Sequence, residues 1–152
     1  MDTILRTLLS EKADLSADKG STRYFWVAPD ATVADAAQSM DEHGIGCMLI
    51  IDNGRFAGLI NERDVMRGLV RHGAALAQQP VRTLISGKPF TVPPSLTVEQ
   101  AMLLCTERRA RHLPVEESGE LLGLLSIGDL VRSLVQDNER TIEDLMHYIH
   151  GR

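Results

Sequence analysis

Cysteine is scarce in this chain. The two it has, Cys47 and Cys105, lie inside apolar periodic segments with no CxxC or Cys/His spacing around them. That argues against a zinc site or a disulfide framework. Excess positive charge is missing too. The formal net charge is −5, which argues against general nucleic-acid or anionic-membrane binding and leaves room only for a local basic pocket. No apolar run reaches the roughly 18 residues of a membrane-spanning helix. The first residues place Asp2, Arg6, Glu11 and Lys12 around a short apolar face rather than a signal-peptide core, so a cytoplasmic protein is expected. There is no P-loop, no GxGxxG and no nucleophile–base pairing. Glu116-Glu117 lie at a turn without partners for acid–base work. His147 and His150 are three apart on one helix but lack a third ligand, so a solvated face is the better reading and no metal is expected. These absences favour a binding or sensing protein over an enzyme.

What is present is a duplication. Gly58-Leu59-Ile60-Asn61-Glu62-Arg63-Asp64 returns as Gly123-Leu124-Leu125-Ser126-Ile127-Gly128-Asp129, 65 residues later. Without a gap, the match runs from Val27/Val92 to Val70/Val135, and 13 of those 44 pairs are identical, among them Thr32/Thr97, Gly54/Gly119 and Asp64/Asp129. A repeat of this quality outranks any single motif as a guide to the fold. At 152 residues the chain suffices for two small repeats, burying roughly 70% of its unfolded surface.

Each copy reads β-α-β-β-α. In the first, Tyr24 to Ala28 is a strand stopped by Pro29, and Asp30 or Thr32 caps a helix with Val33, Ala36, Ala37 and Met40 on one face. Cys47 to Ile51 and Phe56 to Ile60 are strands joined at Asn53-Gly54, a strong hairpin signal. Asn61 caps a helix reaching about Val70, with Val65, Met66, Leu69 and Val70 inward. In the second, Phe90 to Val92, His112 to Val115 and Leu121 to Leu125 are strands. Thr97 caps one helix, with Val98, Ala101, Met102 and Cys105 inward, and Ser126 caps another over Ile127 to Val135. Short helices flank the pair. One carries Ile4, Leu5, Leu8 and Leu9; the other starts at Thr141 and carries Ile142, Leu145, Met146 and Ile149. The expected organisation is an N-terminal helix and loop (1–23), repeat 1 (24–70), a connector (71–88) with a helical turn near 83–87, repeat 2 (89–136) and a C-terminal helix (137–152).

The tandem repeat, the strand Arg111-His112-Leu113-Pro114-Val115 and the Gly-h-x-[Ser/Thr]-x-x-Asp endings resemble a cystathionine β-synthase (CBS) domain pair, or Bateman module. With Tyr148-Ile149-His150-Gly151 at the end, the chain looks like the small stand-alone bacterial CBS-pair proteins. The resemblance implies an α+β fold of two repeats about a pseudo-two-fold axis, with clefts for adenine nucleotides (AMP, ADP, ATP or NAD class), and a homodimer. It implies a non-catalytic regulatory module that signals to a protein partner not yet identified, with no obligatory cofactor. The alternative is a dimeric scaffold without a functional ligand, suggested by the apolar stripes of the two terminal helices.

Residue by residue, the resemblance assigns ribose contacts to Asp64 and Asp129. It assigns phosphate contacts to Asn61, Ser126, Arg63, Arg111 and His112, and the adenine slots to Val27, Thr91, Val92 and Leu113. Cys47 reads first as a small buried hydrophobe and second as a ligand contact. The chemistry suits these parts. A helix N-terminus favours an anion, and a carboxylate has two acceptor oxygens for the two hydroxyls of a ribose. An Asp in the first turn also complements the helix dipole with no ligand at all. Repeat 1 departs from the family pattern in having Asn61 where Thr or Ser is more usual. It also has Gly46 and Cys47 where repeat 2 has Arg111 and His112, so the two sites are expected to be unequal.

Overall fold

The computed structural model describes residues 3–17, 25–85 and 88–150. Tyr24, Ser86, Gly87 and Gly151, and residues 18–23 of the expected loop, lie outside them. The order is α1 (Leu5–Ala17), β1 (Trp26–Val27), α2 (Val33–His43), β2 (Cys47–Asp52), β3 (Arg55–Asn61), α3 (Glu62–His72), α4 (Val98–Arg108), β4 (His112–Glu117), β5 (Glu120–Ser126) and α5 (Ile127–Ile149), with two 3-10 turns, Gly73–Gln78 and Val81–Leu84, between α3 and α4. This is the expected mixed α+β tandem. The chain divides into two compact units, one of Thr22–Phe90 and one of Met1–Ser21 with Thr91–Arg152. No described helix is long and apolar enough to cross a membrane.

The duplication holds down to single hydrogen bonds. In the first unit β1 pairs parallel with β2, and β2 pairs antiparallel with β3. In the second, Val92 bridges Val115 in parallel and β4 pairs antiparallel with β5. Both hairpins slip register at the same place, between Ile50 and Ile51 and between Val115 and Glu116. Both turn on two residues at positive φ, Asn53-Gly54 and Ser118-Gly119, as a tight hairpin requires. Thr32 and Thr97 each cap a helix through the N–H three residues on. Val33, Ala36, Met40, Met48, Ile50, Ile60, Leu76 and Val81 form the core of the first unit. Val92, Val98, Ala101, Cys105, Leu113, Val115, Leu125 and Leu130 are buried in the second.

The equivalent helices α2 and α4 end on Gly44 and Arg109, both in the left-handed region. Arginine has a Cβ that crowds the backbone there, whereas glycine adopts it freely. Arg109→Gly should therefore stabilise the protein by about 0.5–1 kcal/mol, the αL strain relieved less the extra entropy glycine brings to the unfolded chain. Urea unfolding would show it as a raised midpoint at unchanged slope.

Several expectations need correction. Among the described residues the Tyr24 to Ala28 strand is reduced to Trp26–Val27. The N-terminal helix does not stop near residue 10. Glu11 to Ala17 continue it, because polarity alone does not end a helix and no glycine or proline intervenes. The helix from Ser126 does not stop at Val135 either; α5 runs unbroken through Gln136-Asp137-Asn138-Glu139-Arg140 to Ile149. The Phe90 to Val92 strand shrinks to the single bridge at Val92, with Pro93-Pro94 unable to extend the ladder. On α3, Met66, Leu69 and Val70 are exposed, and Gly68 is the buried position. Leu76 and Leu84 lie so close to Gly68 that a Cβ there would meet both at 2.8 Å, so small size rather than hydrophobicity sets that face. In the connector the helical turn spans Val81–Leu84, slightly ahead of its expected place.

The N-terminal segment packs on repeat 2. Leu5 and Leu8 are buried, Leu5 N–H donates to Leu96 O, Arg6 N–H to Pro94 O, and Val98 N–H to Thr3 O. The connector does the same for repeat 1, with Val81 N–H to Ala31 O, Arg82 N–H to Pro29 O, and Val33 N–H to Gln79 O. Each segment thus supplies one repeat with the same set of backbone bonds. Leu9 covers Gly123 and Ile85 covers Gly58, the positions a Cβ would have to share. Those glycines make room for a flanking segment.

Candidate functional site

The two Asp residues sit at equivalent helix starts. Asn61 Oδ1 accepts from Asp64 N–H at 2.8 Å, while Asp64 Oδ2 accepts from Asn61 N–H at 3.0 Å. Ser126 Oγ accepts from Asp129 N–H at 3.2 Å, and Asp129 Oδ2 accepts from Ser126 N–H at 2.8 Å. These reciprocal pairs are capping boxes, which satisfy two otherwise orphaned donors and fix the carboxylate over the positive end of the helix. Both carboxylates are half-buried.

The strand before each hairpin lies beside this helix start. Cys47 is the register partner of Asn61, and His112 of Ser126. Glu62 N–H donates to Gly46 O, and Ile127 N–H to Arg111 O. Repeat 1 therefore gathers Cys47, Asn61 and Asp64, with the exposed Arg63 next to them in sequence. Repeat 2 gathers Arg111, His112, Ser126 and Asp129. Of the residues assigned to adenine, Val92 and Leu113 are buried, and Val27 and Thr91 half-buried.

The environments differ in charge. In repeat 1, burial raises the Asp64 carboxyl, against the Asn61 N–H and the cations Arg67 and Arg63. Burial, helped by the neighbouring Asp64 charge, pushes the Cys47 thiol up to about 12, which disfavours the reactive thiolate. In repeat 2, burial also works against the Asp129 charge. The Lys12 ammonium together with the Ser126 N–H and hydroxyl outweighs it and holds the carboxyl below its ordinary range. Burial lowers His112, and Lys12 and Arg111 add to that against Asp129, which favours the neutral imidazole.

Lys12 was not among the expected site residues. Its Nζ donates to Asp129 Oδ2 at 2.8 Å and to Leu124 O at 3.1 Å. A signal for it exists in the sequence at a second offset. Residues 3–12 and 79–88 share Arg6/Arg82, Thr7/Thr83, Leu8/Leu84, Ser10/Ser86 and Lys12/Lys88, 76 residues apart. Among the described residues no group of three His, Cys, Asp or Glu is placed to hold a metal ion.

Comparison with known proteins agrees with this architecture. The CBS domain matches twice, at residues 20–71 and 81–136. The CBS domain-containing protein CBSX3, mitochondrial, of Arabidopsis thaliana is 33% identical over 147 residues, spanning 91% of this chain and 71% of its own. A putative signal-transduction protein with CBS domains from Burkholderia ambifaria MC40-6 superposes with a TM-score of 0.75 at 38% identity, covering 89% of this chain and 96% of that one. The structure of CBSX2 in complex with AMP superposes with a TM-score of 0.65 at 26% identity, covering 76% of this chain and 90% of that one.

Proposed function

Because this chain belongs to the CBS-domain family, with two of its domains in tandem, we propose that it is a non-catalytic regulatory module binding an adenine nucleotide of the AMP, ATP or NAD class. The observation that carries the reading is the duplicated helix start, capped by Asn61 or Ser126 with a half-buried carboxylate one turn in. Asp64 and Asp129 receive the ribose hydroxyls, because an ionised carboxylate offers acceptors to both. The helix N–H groups, with Asn61, Arg63, Ser126, Arg111 and His112, take the phosphate. Val27, Thr91, Val92 and Leu113 serve the adenine. The AMP held by CBSX2 supports this ligand class.

Binding signals by linkage: a ligand shifts an equilibrium between two arrangements of the protein only by its difference in affinity for them. A homodimer and a protein partner, in the cytoplasm, complete the proposal. The α5 face bearing Ile142, Leu145, Met146 and Ile149 is exposed and supports such an assembly. The face of α1 bearing Leu5 and Leu8 is buried and does not.

Thermal unfolding against AMP, ADP, ATP, NAD, S-adenosylmethionine and GTP tests the reading. A ligand at a hundred times its Kd adds about 2.7 kcal/mol to native stability, a rise in Tm of several degrees. Shifts with adenine ligands and none with GTP are expected. Flat curves, with no nucleotide found by mass spectrometry of the denatured protein, would instead favour an assembly scaffold working through the α5 face.

A further inference from the structure

We propose that Lys12 is an internal competitor for the repeat-2 carboxylate, so that a nucleotide reaches Asp129 only when helix α1 gives up that ion pair. The inference rests on the ribose-binding reading of Asp129. A carboxylate oxygen has about two lone-pair sites. Asp129 Oδ2 already accepts from Ser126 N–H at 2.8 Å, Ser126 Oγ at 2.9 Å and Lys12 Nζ at 2.8 Å. A ribose diol gripping both carboxylate oxygens would need a place on Oδ2, and the helix cap cannot yield its own bonds without loosening α5. The Ser126 hydroxyl can turn to a phosphate while its oxygen still accepts from Asp129 N–H, but that leaves the Lys12 ammonium on Oδ2. Lys12 is the charged occupant, and its departure leaves the cap intact.

Repeat 1 lacks this occupant. Asp64 Oδ2 accepts from Asn61 N–H, and Asp64 makes no ion pair among the described residues. Lys88, the sequence counterpart of Lys12, is exposed and likewise makes no ion pair among them. The same lysine is thus engaged in one repeat and disengaged in the other.

The anchor of α1 lies away from Lys12. Leu5 and Leu8 are buried, Thr3 Oγ1 donates to Asp137 at 2.8 Å, and Arg6 pairs with Glu117. Releasing Lys12 therefore leaves the start of the helix docked. The repeat-1 site fills first, and filling the repeat-2 site is reported by the end of α1.

The test is calorimetric titration of the full chain with AMP, comparing wild type with Lys12→Met, which keeps the aliphatic stem, and with Lys88→Met. The wild type should show two unequal sites. Lys12→Met should tighten the weaker one roughly tenfold, the scale of one part-buried charged hydrogen bond, and Lys88→Met should leave it unchanged. Amide hydrogen exchange over residues 9–17 should quicken in wild type as the second site fills. Unchanged affinities in Lys12→Met, or a weaker second site, would overturn the competition; the latter would make Lys12 a ligand contact. Absence of AMP binding in every variant would instead remove the ribose reading itself and the competition with it.

Discussion

Asp64→Ala should lower the affinity of the tighter AMP site at least tenfold while leaving the unfolding midpoint nearly unchanged. The affinity falls because the variant has no acceptor for the ribose hydroxyls, and losing a charge-assisted pair of this kind is worth about 1.5–3 kcal/mol. Stability holds because two effects oppose. The variant forfeits the bond from Asn61 N–H to the carboxylate, but it also removes a charge that burial disfavours, the cause of the raised Asp64 carboxyl. Asp129→Ala should behave differently. Its carboxylate is held below the ordinary range by Lys12 and Ser126, so its removal strips stabilising bonds and the midpoint should fall. Titration calorimetry and urea unfolding of both variants read the contrast. An Asp64→Ala protein with undiminished AMP affinity would show that the ribose lies elsewhere.

Leu125→Ala should destabilise the protein by about 2–5 kcal/mol, the range for leucine truncations in a packed core. Leu125 is 0% exposed on β5, and its repeat-1 equivalent Ile60 on β3 is also 0% exposed. Each lies in the strand that ends on a capping residue, so a cavity there undermines the support of the helix start as well as the core. Ile60→Ala should match it within the same range. Urea denaturation followed by circular dichroism is the measurement. A loss under about 1 kcal/mol in either would mean that the surrounding side chains close the cavity, as loosely packed sites do.

The features legible in the sequence are those whose chemistry is local. Asn53-Gly54 announces its hairpin because few other residues accept positive φ. Thr32, Thr97, Asn61 and Ser126 announce helix starts because their side chains answer an N–H three residues away. The repeat then places everything in one copy at the matching place in the other. What stayed hidden depends on partners far along the chain or on the absence of a stop signal. Polar residues 136–140 look like a break, yet none of them prevents a helix. Met66, Leu69 and Val70 have the spacing of an inward face, but Gly68 turned out to be the position against which Leu76 and Leu84 close. The Lys12–Asp129 pair joins residues 117 apart, and only the weaker match of 3–12 with 79–88 hints at it. The acids at the site were legible as a pattern. Their opposite net shifts were not, because burial raises both carboxyls and the outcome depends on which cation the fold delivers.

The unbroken α5 has a mechanical meaning. Its 23 residues make a rod of about 34 Å at roughly 1.5 Å per residue. One end is the capped turn of Ser126 and Asp129; the other carries the bare apolar side chains of Ile142, Leu145, Met146 and Ile149. A tilt of about 5° at the capped end sweeps the far tip through about 3 Å over that length, more than half a helical turn. Two separate helices with a joint near residue 137 would absorb such a tilt at the joint. A single rod carries it whole, so that any tilt of the capped turn reaches the apolar tip as a displacement of ångströms.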